Sequence, residues 1–197
     1  MSDPVFMDLE ASSLISGFPV EIGWARQEGI SVRMNSILVA PPDKWLETCA
    51  WDQNAQHIHG VTLDLLRSQG HLPSDVCRYI NNELENVAVV LDTGATGADV
   101  QWLKQLYAEA RTEPSFTILT ATSEEVVQNR LGFWNVPPEH LQIMHEHAPT
   151  PPHRAAEDAA VWAWWLIAVE FASSQPSGAD NKSFASQLKS IEIPRSR

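Results

Sequence analysis

Basic side chains are scarce in this 197-residue chain, where 13 Lys plus Arg stand against 25 Asp plus Glu and the formal net charge is -12 at pH 7. Proteins that hold long nucleic acid usually show a basic face, because phosphate contacts supply much of their affinity. A polyanionic substrate would therefore have to be gripped over a few nucleotides, with bound metal ions cancelling the local repulsion. Cysteine is nearly absent as well. Cys49 and Cys77 are the two present, they lack metal-ligand spacing, and they read as free buried thiols, not a disulfide. No apolar run approaches the roughly 18 residues needed to cross a bilayer, and no basic stretch followed by an apolar one opens the chain. The expectation is a cytoplasmic protein.

What is present is the composition of a folded globular domain, 44% hydrophobic and 19% charged, at a length that suits one domain. Residues 4–9 read as a buried first strand. Stretches 18–27 and 30–40 read as a second and third, joined by the Glu28-Gly29 turn signal. Short helices are expected at 43–51 and 63–68, flanking His57 to Thr62, and a longer amphipathic one at 73–85. The continuous apolar runs at 87–91 and 116–121 suit buried parallel strands, each followed by a helical pattern, at 100–110 and from Ser123 onward. A Trp-rich helix, apolar over most of its circumference, is expected from Pro151 to about Ala172. The order predicts a mixed sheet sandwiched by helices. Residues 1–173 form the expected domain, and 174–197, rich in Ser, Pro, Gly and Asn, the expected flexible tail.

Carboxylates fall at telling places. On a strand, side chains alternate faces, so Asp8 and Glu10 point the same way. Two like charges side by side are unfavourable unless a cation lies between them or one is protonated. The plain alternative is an edge strand with two solvated acids. Asp99 opens the helix anchored by Trp102, Leu103 and Leu106, a place where the helix dipole alone favours an acid. Asp158 has less excuse: it lies one turn into an apolar helix near Ala155, Val161, Trp162 and Trp165, where an unpaired charge is costly. His153, five residues earlier at the Pro-Pro helix entry, brings an imidazole to the rim of the same place.

Asp8-x-Glu10, then Asp99 ahead of Trp102-Leu103, then His153-x-Ala155-x-x-Asp158 form an ordered set. In that order and at those separations it resembles the DEDDh branch of the DnaQ-like 3′-to-5′ exonucleases, over about residues 4 to 172. Val20-Glu21-Ile22-Gly23 and His59-Gly60-Val61-Thr62 add to the resemblance. It implies an RNase H-like fold, a mixed five-stranded sheet flanked by helices on both faces. It implies that Asp8, Glu10, Asp99 and Asp158 hold two divalent ions, Mg²⁺ or Mn²⁺, for in-line displacement at phosphorus. His153 would be the general base, a task suited to an imidazole. Ala11, Ser12, His59 and Val61 would lie at the terminal nucleotide of an RNA or DNA 3′ end. The product would be a nucleoside 5′-monophosphate and the enzyme a homodimer. The family usually carries a His-Asn pair where this chain has Asp92-Thr93-Gly94-Ala95-Thr96, so Asp92 competes with Asp99 as the middle ligand, at a spacing that fits less well.

Val89 to Ala95 also resembles the active-site loop of retropepsin-like aspartic proteases, with Asp92 as the catalytic acid. Those proteases are small all-β dimers, and this chain has several helices. An RNase H-like scaffold that binds without cutting is a third reading, opposed by the presence of all five polar positions. The eight Trp suggest stacking platforms, yet Trp162, Trp164 and Trp165 share an apolar helix and read as core. His140, His145 and His147 read as loop histidines without zinc-ligand spacing.

Overall fold

The computed structural model describes residues 3–94, 97–175 and 180–194. Its five strands are β1 Val5–Ala11, β2 Pro19–Glu28, β3 Ser31–Leu38, β4 Ala88–Leu91 and β5 Thr117–Ile118, laid side by side in the order β3-β2-β1-β4-β5. β1 pairs antiparallel with β2, which turns through Gly29 (φ 63°) into antiparallel β3. β4 lies parallel to β1 and β5 parallel to β4, as crossover connections through helices require. The helices are α1 Asp43–Thr48, α2 Gln53–His59, α3 Leu63–Gln69, α4 Pro73–Glu83, α5 Ala98–Ala110, α6 Ser123–Trp134, α7 Pro138–His147, α8 Ala155–Ser174 and α9 Asn181–Lys189.

Alternation along β1 divides the interior. Val5, Met7 and Leu9 join Val76, Ile80, Leu103 and Leu106 of α4 and α5 on one face of the sheet, whereas Phe6 joins α8 on the other. Helices thus cover both faces. Asp8 and Glu10, in phase with Phe6, lean towards the α8 side. α8 can come that close because its sheet-facing row is Ala155, Ala156, Ala159, Ala160 and Ala163, all buried. One contact fixes the register. Gly23, opposite Asp8 in the ladder, lies so near the backbone of Ala155 and Ala156 that a Cβ there would overlap it. The first turn of α8 is thereby seated beside Asp8.

Several sequence expectations need correction. α2 falls where only a connection was expected; it is capped by Asp52, which accepts from the Asn54 N–H, and closed by left-handed Gly60. The histidines read as loop residues sit on α7, with His140 buried against Phe184. The last long helix begins at Ala155, not Pro151, and His153 lies outside it in a left-handed conformation (φ 58°). The stretch expected to be a flexible tail contains α9, whose Phe184 and Leu188 are buried and whose Asp180 caps its start. Beyond α9, the Glu192 carbonyl accepts from the Val32 N–H of β3. Residues 176–179 and 195–197 of that stretch, like Ala95 and Thr96 of the Asp92 loop, lie outside the described residues.

Candidate metal centre

β1 delivers Asp8 and Glu10 to its C-terminal end, and the seating of α8 on Gly23 brings Asp158 to meet them. One oxygen from each of these three carboxylates lies within 4.8 Å of the other two. Asp99, at the start of α5 and buried, faces Asp8 closely enough that its charge ranks second only to burial in raising the Asp8 carboxyl well above the usual range. Burial and repulsion by Asp158 and Glu21 raise Glu10 to about 7. Asp99 and Asp158 are also raised, burial being the leading cause for both. Four acids raised by burial, with Asp8 and Glu10 raised further by the charges of the others, could seat divalent cations, which remove the repulsion without a proton. The donor set, all carboxylate oxygens, suits hard ions such as Mg²⁺ or Mn²⁺.

His153 is exposed at the edge of this cluster, and its backbone N–H donates to Asp158 Oδ1 at 3.2 Å. The left-handed turn ahead of α8 therefore ties the histidine to the acid it accompanies. The same cleft, about 520 Å³, is lined by Ala11, His59 and the apolar side chains of Leu14, Ile58 and Trp102. His59 is buried, its Nδ1 accepts from the Val61 N–H at 2.9 Å, and desolvation lowers its pKa.

Two residues expected at the substrate are placed differently. Ser12 is 1% exposed, and its hydroxyl donates to the Ala50 carbonyl at 2.7 Å and accepts from the Phe18 N–H at 2.9 Å, closing the loop after β1. The Val61 side chain is fully buried in the core. Both contenders for the middle position stand near the cluster. Asp99 lines the cleft; Asp92, just after β4, is raised by burial and eased by Trp162 of α8, and its charge helps to raise both Asp8 and Asp99.

Two features went unread in the sequence. Glu21 of β2, the ladder partner of Glu10, is fully buried and held by Arg154 through two bonds of 2.8 and 2.7 Å. A glutamate inside the apolar run Phe18 to Ala25 was the available signal, since such a charge needs a partner. Thr93 donates both its backbone N–H and its hydroxyl to Asp99. A larger groove, about 780 Å³, runs between β3, α3 and α4. Its carboxylates, Glu21 and Asp75, are already paired with Arg154 and Arg78, so it has no acid cluster to offer a cation.

No family model and no curated protein matches the chain. Solved structures do. Escherichia coli exonuclease I in its zinc-bound complex with single-stranded DNA superposes with a TM-score of 0.59 at 12% identity, over 86% of this chain and 41% of that one. The same exonuclease with a dA16 oligonucleotide gives 0.54 at 14% identity, over 84% and 41%. A full-length 3′-exonuclease gives 0.53 at 12% identity, over 85% and 80%. The fold is RNase H-like. At such identities the likeness speaks to fold alone, and the chain spans about two fifths of exonuclease I. An RNase H-like mixed sheet is also incompatible with the all-β dimer that the retropepsin resemblance requires. Among the described residues, no helix is long and apolar enough to cross a membrane, and Cys49 and Cys77 are both free.

Proposed function

We propose that this protein is a metal-dependent 3′-to-5′ exonuclease that releases nucleoside 5′-monophosphates from single-stranded or short nucleic acid. The observation that carries this reading is the convergence of Asp8, Glu10 and Asp158 within 4.8 Å, with Asp99 beside them, in a cleft that also holds His153. Two divalent ions, held by Asp8, Glu10, Asp99 and Asp158, would supply Lewis-acid stabilisation of the charge that develops on the phosphodiester oxygens. His153 takes the proton from the attacking water, and its exposure leaves it free to pass that proton to solvent. Leu14, Ile58 and Trp102 give the terminal bases an apolar wall. His59, pinned through Nδ1, presents its ring at the same wall. With a net charge of -12, the protein has little long-range attraction for a polyanion, which favours short, flexible strands. The reading carries with it a cytoplasmic setting and a homodimer, the latter tested by sedimentation.

Incubation with 5′-labelled single-stranded RNA and DNA oligomers, in Mg²⁺ or Mn²⁺ and in chelator, is the test. The expected result is a ladder shortening from the 3′ end that chelator abolishes. Asp8→Ala and Asp158→Ala should each remove that activity and leave the fold intact or stabilised, because each relieves carboxylate crowding. Substantial cleavage by either variant refutes the assignment. Binding without cleavage under every metal condition would instead identify a nucleic-acid-binding scaffold.

A further inference from the structure

The Asp92-Thr93-Gly94 turn has no part in the proposed chemistry as stated so far, yet it touches the centre at one point. Asp99 is 5% exposed and carries a charge that burial resists. Thr93 answers with two donors, Oγ1 at 2.8 Å and the backbone N–H at 3.3 Å, and both go to the same atom, Asp99 Oδ2. No donor among the described residues reaches Oδ1, and Asp99 lines the cleft that holds Asp8 and Glu10. A carboxylate with one oxygen doubly anchored in the protein and the other left bare is oriented for a ligand.

The local sequence is arranged to permit this. Thr93 lies in the turn two residues after the end of β4, and its branched side chain has few rotamers. Its hydroxyl must lean across the entry of α5 to reach Asp99. At that entry the N-cap is Gly97, and a Cβ on Gly97 would collide with the Thr93 hydroxyl and Cβ. Gly97 is unstrained, with φ −78°, so it is the missing side chain and not backbone freedom that matters.

Resting on the exonuclease reading above, we infer that Thr93 is a positioning residue that turns the Asp99 carboxylate towards the metal centre, and that Gly97 is required to make room for it. Thr93 also lines the cleft, and the role inferred for it is exerted through Asp99.

The test compares Thr93→Val, which keeps the shape and loses the hydroxyl, with Thr93→Ser, which keeps the hydroxyl. Mn²⁺ binding to the full chain is measured by calorimetry and by paramagnetic resonance, alongside melting temperature. Loss of an outer-shell partner typically costs 10 to 100-fold in metal affinity, so Thr93→Val should weaken Mn²⁺ binding by about tenfold or more. Thr93→Ser should stay within about threefold of the native chain. Gly97→Ala, by displacing the hydroxyl, should resemble Thr93→Val. In nuclease assays at low metal, Thr93→Val should lose kcat and recover part of it as Mn²⁺ is raised, with KM for the oligonucleotide little changed. Native Mn²⁺ affinity in Thr93→Val, or equal weakening in Thr93→Ser and Thr93→Val, overturns the inference and leaves the exonuclease reading standing. A native chain that takes up no Mn²⁺ overturns both.

Discussion

Replacing Glu10 with glutamine removes one charge from the crowd and keeps the side chain's size, so it isolates what the crowding costs. Burial and the charges of Asp158 and Glu21 raise the Glu10 carboxyl from 4.5 to about 7. The folded protein then keeps a proton that the unfolded chain has already released. That contribution to stability is fully present below pH about 4.5 and is lost as pH rises through about 7. At about 1.36 kcal/mol per pH unit, ionising Glu10 in the metal-free fold costs about 3 kcal/mol at pH 8 and under about 1 kcal/mol at pH 5. In chelator at pH 8, Glu10→Gln should therefore exceed the native chain by up to about 3 kcal/mol. For a chain of this length that is about 6 to 12 °C in melting temperature. At pH 5 most of the gap should close. Saturating Mn²⁺ should stabilise the native chain more than the variant and narrow or reverse the order. Calorimetric melting at both pH values, with chelator and with Mn²⁺, reads all of this. A variant less stable than the native chain at pH 8 in chelator, or a gap independent of pH, would refute the reasoning.

Gly23→Ala should cost about 3 kcal/mol in urea unfolding and most of the nuclease activity, because the added Cβ meets the α8 backbone and not a flexible side chain; native-like stability would contradict that contact. Arg154→Met strands the fully buried Glu21 and should destabilise by about 3 kcal/mol. Adding Glu21→Gln to that variant should restore most of the loss, and failure to do so would show that the pair is not the cause. Phe184→Ala, at a fully buried site, should lose about 3 kcal/mol or more and expose the α9 amides to hydrogen exchange while β1 stays protected.

The parts of the fold readable from sequence were those with a strong period. β2 and β3 are long, joined by a turn with a left-handed glycine, and fell within a residue or two of their expected bounds. α8 declared itself by its apolar circumference, although the Pro-Pro pair suggested an entry four residues early; Arg154 serves as N-cap, and His153 is held by Asp158 in a turn that no periodicity signals. α2, α7 and α9 were missed for a common reason. Each is short and mostly polar, anchored by one or two side chains such as His59, Met144 or Phe184, so tertiary contacts and caps decide them.

At the site, the acids were legible because a charge placed inside an apolar strand or helix demands an explanation. Their support was not. Glu21 and Arg154 stand 133 positions apart, and only the seating of α8 on Gly23 joins them. The resemblance puts Ser12 at the substrate, whereas the chain uses its hydroxyl to close a loop. Thr93 was hidden by the stronger resemblance of its neighbours to a protease loop.

Anomalous diffraction from crystals of the native protein soaked in Mn²⁺ addresses the central claim most directly. Two peaks about 3.5 to 4 Å apart, bounded by Asp8, Glu10, Asp99 and Asp158, are the predicted result. Manganese bound elsewhere, with these four carboxylates left bare, would contradict it.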